Sequence, residues 1–352
     1  MINFAERLKA ARKIKGWSLD ELSTRAGENV VSKQSLGKYE NSEMQPGEEI
    51  FFALCKALDI KTDYFFRRLS FRIGEVNFRK LDIYSASMQE KVKAKTQDFV
   101  ERYLELEEII GEKSKFDTKK YTGIKVNSFD EVEDVAQYIR KSWKLGNDPL
   151  NNVVELLEDN HVKVVEIEEE EAFMGMSTII KKNIPVVVLN NSKRISNTRK
   201  RFTALHELGH LTMSLEHLSH KEQESYCNRF AGAMLISRDK MLQEMGSEKR
   251  TKIFLGELGQ LKKQYGISIS ALLFRLAECD ITTQSNAFGI MGEMRRLGVF
   301  EKEPEEFDFK GEEKSNRFVQ LLLRGVAMDL ISTSKAAALN NQKVAEFRKL
   351  LD

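Results

Sequence analysis

A mainly helical α+β fold is predicted by three features of the 352-residue chain. Only four prolines interrupt a composition rich in Leu, Glu, Lys and Ala, which favour helices. Apolar residues recur at helical spacing along most of the length. Runs rich in Val and Ile cluster between Val162 and Asn190 and predict a small sheet there. The expected architecture is a five-helix segment containing a helix-turn-helix, then a small sheet flanked by helices, then a helical C-terminal region. In residue terms these are 1–66, a connector with a long helix at 67–126, a core at 127–237 and the C-terminal region at 238–352.

Composition narrows the class. A 41% apolar content and a mean hydropathy of -0.43 fit a soluble globular protein. No run reaches the length of a membrane span. Met1 to Leu22 are charged and helical in pattern, unlike a secretory signal. Cys55, Cys227 and Cys279 are odd in number and far apart. That excludes a disulfide framework and a cysteine-rich zinc ribbon, and predicts a reducing, cytoplasmic setting. The net charge of +2 does not by itself announce a nucleic-acid binder.

In the first segment Phe4, Leu8, Ala11 and Ile14 recur at helical spacing. Ser18 caps a second helix and Glu21 completes a capping box. Ser32 caps a third helix, Lys33 to Glu40, and Pro46-Gly47 precede a fourth carrying Ile50, Leu54 and Leu58. Two short helices joined by a Gly-containing turn form a helix-turn-helix, whose second helix fits the major groove of double-stranded DNA. With Leu36 and Tyr39 facing the core, Lys33, Gln34, Ser35 and Lys38 face outward. Gln and Ser read base edges, while Lys and backbone amides hold phosphates. Residues 1–66 hold ten Lys or Arg and ten Asp or Glu. A neutral domain also suits protein contacts alone, yet a groove reader needs only a local basic face.

The residues R-L-x-x-A-R (Arg7 to Arg12), G-W-S (Gly16 to Ser18), S-K-Q-S (Ser32 to Ser35) and K-Y-E-N (Lys38 to Asn41), followed by Pro46, resemble the Xre/Cro-type repressor domain. The family's common Asn-Gly is Asn41-Ser42 here. The resemblance implies binding to an operator.

In the connector, Leu69 to Lys80 predicts a short strand or hairpin around Gly74. Gln89 to Gly111 predicts a long amphipathic helix with Val92, Phe99, Tyr103, Leu106 and Ile110 on one face. That face suits packing on a neighbour. It also suits a homodimer, which palindromic operators favour. Lys113 to Lys125 reads as a polar linker.

The core opens with helical periodicity at Phe129 to Trp143 and a helix at Val153 to Asp159. Strands follow at Val162 to Ile167, Met174 to Ile180 and Pro185 to Asn190, the last two joined at Lys181 to Ile184. Thr203 to Leu211 then carries H-E-x-x-H inside an apolar helix. At i and i+4, the imidazoles of His206 and His210 leave one helical face and can share a metal ion. Glu207, beside them, is placed to take a proton from water. Zinc suits nitrogen and oxygen donors, lowers the pKa of a water it holds to about 7 and polarises a carbonyl.

A catalytic zinc needs a third protein donor and an open position. Glu224, on a second helix with Phe230, Ala233 and Met234 buried, is the favoured third donor, against Glu222, His217, His220 and Glu216. Asn228 lies one turn later on the same face and can hold a ligand side chain. Tyr226, Arg199 and Arg201 are the candidates for steadying an oxyanion.

R-K-R-F-T-A-L-H-E-L-G-H (Arg199 to His210), with P-V-V-V-L-N (Pro185 to Asn190) before it and E-S-Y-C-N-R-F-A (Glu224 to Ala231) after it, resembles the ImmA/IrrE metallopeptidases. The resemblance covers about 127–280 and extends upstream through Asp134 to Pro149. It implies zincin-like helices, zinc on His206, His210 and Glu224, and Glu207 as the catalytic base. The family's frequent E-A-N is Tyr226-Cys227-Asn228, which sets a thiol beside the expected site. The resemblance also implies cleavage of a partner repressor. Fused to an Xre-like domain, it implies a regulator encoded in a toxin–antitoxin, phage or stress/defence locus.

Beyond the core, helices are predicted at Phe254 to Tyr265, Ser270 to Leu276, Ile290 to Leu297 and Arg317 to Leu330. Glu301 to Lys314 reads as an acidic, solvated linker. Ser334 to Ala337 with Val344, Phe347 and Leu350 looks like a degenerate second helix-turn-helix serving packing or a partner. The sequence thus predicts a DNA-binding transcriptional regulator with a zinc endopeptidase centre. The alternative is an antitoxin-like repressor that binds a toxin or other partner without cutting it.

Overall fold

The computed structural model describes residues 2–67, 84–112, 116–299 and 303–351. The chain divides into two units, residues 1–112 with 321–352, and residues 113–320.

The first unit opens with α1 (Ile2–Lys15), α2 (Leu19–Ala26), α3 (Lys33–Glu40) and α4 (Glu48–Leu58), then a 3-10 turn at Thr62–Phe66. The expected fifth helix is this turn. Local capping sets the boundaries. Ser18 Oγ accepts from Glu21 N, and the Glu21 carboxylate accepts in return from Ser18 N at 2.7 Å. Those bonds hold the Glu21 carboxyl below its ordinary range. Ser32 Oγ accepts from Ser35 N and starts α3. Leu8, Leu22, Leu36, Tyr39, Leu54, Leu58 and Phe65 form one buried core. Arg12 forks onto both carboxylate oxygens of Glu40 at 2.6 and 2.7 Å, tying α1 to α3.

The long connector helix is α5 (Ala86–Ile110), capped by Ser85 Oγ. Its burial extends beyond the expected apolar face. Asp98, Glu101 and Arg102 are buried with Val92, Val100, Tyr103 and Leu106. Arg7 of α1 meets Glu101 at 2.6 Å. The strand or hairpin expected at Leu69 to Lys80 lies outside the described residues.

The second unit starts where a polar linker was expected at 113–125. There, Thr118–Tyr121 turns as α6 and Ile124–Lys125 forms β1. After α7 (Phe129–Ser142) and α8 (Val153–Asp159) come β2 (Lys163–Ile167), β3 (Gly175–Ile180) and β4 (Ile184–Asn190). The sheet order is β2-β4-β3, with β2 parallel and β3 antiparallel to β4. All seven residues of β4 are buried, as the central position requires. Helix α9 (Asn197–Thr212) packs on β3 and β4. The strand β5 (Met213–Ser214) pairs with β1 in parallel.

Glycine at 175 permits the close approach of β3 to α9. A Cβ there would stand 2.7 Å from Thr203 Cγ2 and 2.9 Å from Val188 O.

Next is α10 (His220–Leu235), which lies against α9 and α7. Two buried guanidinium groups bind carbonyls at its C-terminus. Arg140 donates to Met234 O, and Arg275 Nε donates to Ile236 O at 3.0 Å. Cations there meet the negative end of the helix dipole and fix where α10 stops. Around them pack α11 (Arg238–Met245), α12 (Leu255–Tyr265), α13 (Ile269–Glu278) and α14 (Gln284–Arg296). The last starts six residues earlier than its apolar pattern, because Thr283 caps the polar turn at Gln284.

The acidic stretch after α14 is not the solvated linker its charge predicts. Phe307 is buried and faces Gly259 of α12. Glu303 and Asp308 both pair with Lys262, at 2.8 and 3.1 Å. Glu313 is buried against Arg201 of α9 at 3.1 Å. Charge pattern alone does not reveal partners that lie far away in the sequence.

The chain continues into α15 (Arg317–Ala327), α16 (Thr333–Leu339) and α17 (Val344–Arg348), which from Leu321 onward belong to the first unit. Arg102 of α5 donates to Leu339 O at 2.5 Å and Arg67 donates to Ala338 O at 3.0 Å. The C-terminal helices therefore add to the helix-turn-helix unit by packing.

Candidate functional site

Ser196 Oγ accepts from Arg199 N and starts α9. The helix carries a nearly unbroken buried surface, including Ala204, Leu205, Leu208 and Leu211. That burial fixes the helix's rotation and aims residues 206 and 210 at α10. His206 Nε2 and His210 Nε2 are 3.2 Å apart. Glu224 of α10 reaches both: Oε1 lies 3.2 Å from His210 Nε2, and Oε2 lies 3.5 Å from His206 Nε2.

A tetrahedral ion with bonds of about 2.0 Å has its donors roughly 3.3 Å apart. The observed separations match that edge length, so the three side chains fit one zinc ion without rearrangement. The donor chemistry agrees, since imidazole nitrogen and carboxylate oxygen make up the usual catalytic zinc set. Asn228 Oδ1 accepts from His206 Nδ1 at 2.8 Å. That bond places the ring proton on Nδ1 and leaves the Nε2 lone pair directed at the cluster. His206 is almost buried, whereas Glu224 and His210 remain partly exposed. The cluster thus opens to solvent on one side.

Cys227 Sγ belongs to a second grouping, within 4.8 Å of the imidazole nitrogens. The carboxylate set stands at the donor separations that zinc requires.

The remaining expected residues separate clearly. Glu207 is buried, and its Oε2 accepts from Ser177 Oγ of β3 at 2.9 Å. Of the rival donors, Glu222 closes the capping box of α10 with Ser219, and Glu216 accepts from Ser214. His217 and His220 are exposed. Among the oxyanion candidates, Arg201 is committed to Glu313, and the ring of Tyr226 packs on Phe129 at 4.8 Å. Arg199 is exposed on the first turn of α9. Sequence reasoning missed Ser177. No local pattern marks it, because its bond to Glu207 spans 30 residues of sequence.

In the first unit, Lys33, Gln34 and Lys38 are exposed on α3 and Ser35 is half-buried. Lys33 Nζ pairs with Asp20 of α2 at 2.6 Å, and both side chains are exposed. Ser35 is engaged with the Ser32 cap.

Fold and site together define a helix-turn-helix protein that carries a metallopeptidase-like domain. Residues 8–65 match the family model described as Helix-turn-helix. Residues 163–277 match the peptidase-family model described as IrrE N-terminal-like domain. The chain therefore joins an Xre-like DNA-binding segment to an ImmA/IrrE-like domain, the organisation of a DNA-binding regulator with a protease-like domain. No curated protein matches the chain. Among the described residues, no helix is long and apolar enough to cross a membrane.

Proposed function

We propose that this protein is a cytoplasmic, operator-binding regulator whose second unit is a zinc endopeptidase acting on a partner protein. The observation that carries this reading is the convergence of His206, His210 and Glu224 at 3.2–3.5 Å. Glu207 lies on the same helix and is hydrogen-bonded to the adjacent strand. His206, His210 and Glu224 hold the ion. Zinc supplies a Lewis acid that polarises the scissile carbonyl and makes water acidic enough to lose a proton near neutrality.

The chain's own residues do the rest. Glu207 takes the proton of the attacking water and returns it to the leaving amine. Ser177 keeps one oxygen of that carboxylate oriented. Asn228 holds His206 in the tautomer that presents Nε2. Among the described residues β3 pairs only with β4, so its other edge is suited to an extended substrate segment joining by strand addition. In the first unit, Lys33, Gln34, Ser35 and Lys38 on α3 address the operator. The partner is a repressor, or a toxin encoded in the same phage, stress or defence locus.

The test combines metal content with cleavage. Purified protein should carry about one zinc per chain, as a three-donor site predicts, and His206→Ala should lose it. The protein encoded by the adjacent gene should be cut by the wild type and spared by Glu207→Gln. Zinc-loaded protein that binds this partner but leaves it intact would reject proteolysis and favour the antitoxin-like repressor.

A further inference from the structure

Cys227 is packed in the core of the second unit, at a place beside the histidines that the proposed hydrolysis does not use. It lies on α10 between Glu224 and Asn228, the two residues of that helix that face the histidines. Its side chain is fully buried, whereas the Glu224 carboxylate is on the solvent side of the cluster. Its Sγ and the imidazole nitrogens of His206 and His210 all lie within 4.8 Å of one another. A Cβ at Gly209 would stand 3.1 Å from Phe230 Cδ1 and 3.4 Å from Cys227 Sγ, so α10 lies close against the backbone of α9 at this point. Among the described residues this is the one cysteine grouped with imidazoles. Cys279 sits elsewhere in the core, where burial pushes its thiol up to about 11, and burial raises the Cys55 thiol as well.

We propose that Cys227 is an alternate third donor, so that one pair of histidines serves two metal-binding sets. His206, His210 and Glu224 take a borderline ion such as zinc. His206, His210 and Cys227 take a larger thiophilic divalent ion. This rests on the metal-centre reading above and deepens it.

Donor softness and ion size separate the two sets. Thiolate sulfur selects soft ions, whereas carboxylate oxygen suits harder ones. For zinc, bonds of about 2.0 Å to nitrogen and 2.3 Å to sulfur bring those two donors roughly 3.6 Å apart. The carboxylate already stands at zinc's donor separation. A larger ion, with longer bonds, accepts donors spaced more widely than zinc does, up to the 4.8 Å that bounds the thiol set. Binding converts the thiol to a thiolate: the S–H bond breaks, the metal–sulfur bond forms, and the proton leaves to solvent. No oxidant or reductant takes part.

Cadmium is the probe, and thiolate-to-cadmium charge-transfer absorption in the near ultraviolet is the readout. The full-length apoprotein should develop this band in proportion to cadmium and saturate at about one equivalent. Cys227→Ala and Cys227→Ser should abolish the band and weaken cadmium binding by on the order of tenfold, with zinc affinity changed far less. Serine keeps the side-chain volume but is a hard donor, so it separates ligation from packing. His206→Ala should also lose the band.

Cadmium bound by the wild type without a charge-transfer band would overturn the proposal and leave the carboxylate site intact. A band that persists in Cys227→Ala would assign it to another cysteine and overturn it equally. Wild-type protein that binds neither zinc nor cadmium would remove this proposal together with the metal centre.

Discussion

Ser177 Oγ donates a 2.9 Å hydrogen bond to Glu207 Oε2, linking strand β3 to the carboxylate proposed as the base. The bond crosses 30 residues of sequence. It couples the proposed substrate-bearing strand to the position of the proton acceptor. Ser177→Ala leaves Glu207 present but removes this bond to it. The expected result is a fall in kcat of about tenfold at unchanged KM, the signature of a contact made in the transition state. Zinc content should not change. Steady-state kinetics on the cleaved partner, with metal analysis alongside, measures both. An unchanged kcat would mean that Glu207 is held by its other surroundings.

Asn228 is expected to act through His206 and not on the reaction itself. With its Oδ1 2.8 Å from His206 Nδ1, it sets the ring's orientation and tautomer. Partners of this kind typically contribute about 10–100-fold to metal affinity. Asn228→Ala should therefore weaken zinc binding in that range while far-ultraviolet dichroism stays native. Competition with a chromophoric chelator reads the constant directly. Equal affinities for variant and wild type would show that packing alone orients the ring.

Much of this site was legible in the sequence because its information is local. His206 and His210 are separated by one helical turn, and Glu224 and Asn228 by another, so periodicity alone puts each pair on one face. The caps at Ser18 and Ser32 are equally local, and both form as expected. What stayed hidden depends on contacts between distant parts of the chain. Nothing near Ser177 signals Glu207. The acidic run at 301–314 gives no hint that Glu313 crosses to Arg201, and there the charge pattern pointed the wrong way. The oxyanion candidate Arg201 fails for the same reason, since its partner lies more than a hundred residues downstream.

Arg201 and Glu313 form a fully buried pair at 3.1 Å. Glu313 Oε2 also accepts from Val153 N and Val154 N at 2.9 and 3.2 Å. Burial pushes the Glu313 carboxyl up to about 7, although Arg201 and the two amides pull it down. The folded state therefore keeps this proton between roughly pH 4.5 and 7, where the unfolded chain has lost it. The contribution of this group falls as pH rises through that window and is fully lost above it. Glu313→Gln should flatten that part of the pH–stability curve in urea titrations at pH 5 and pH 8. Glu313→Ala at pH 8 leaves a buried guanidinium without its counter-charge and should cost about 3–5 kcal/mol. Identical pH dependence in wild type and Glu313→Gln would show that the carboxyl titrates normally.

On α3 the exposed side chains divide into two kinds of contact, and salt separates them. Lys38 is a point charge suited to phosphate. Lys38→Ala should weaken binding to every sequence alike and reduce the slope of log affinity against log salt by about one. Gln34 is suited to the two-point edge of adenine. Gln34→Ala should cost about 1–3 kcal/mol on the operator and far less on scrambled DNA. Lys33 is intermediate, because its ammonium is held by Asp20 at 2.6 Å in an exposed pair. Such pairs contribute only about 0–1 kcal/mol, so DNA can take the lysine from Asp20. Asp20→Ala removes a nearby negative charge and should tighten binding to both DNAs, most strongly at low salt. Fluorescence anisotropy with the DNA upstream of this protein's own gene, against a scrambled duplex over a salt series, distinguishes the three effects. If none of the variants changed either affinity or salt slope, α3 would not be the helix that meets DNA.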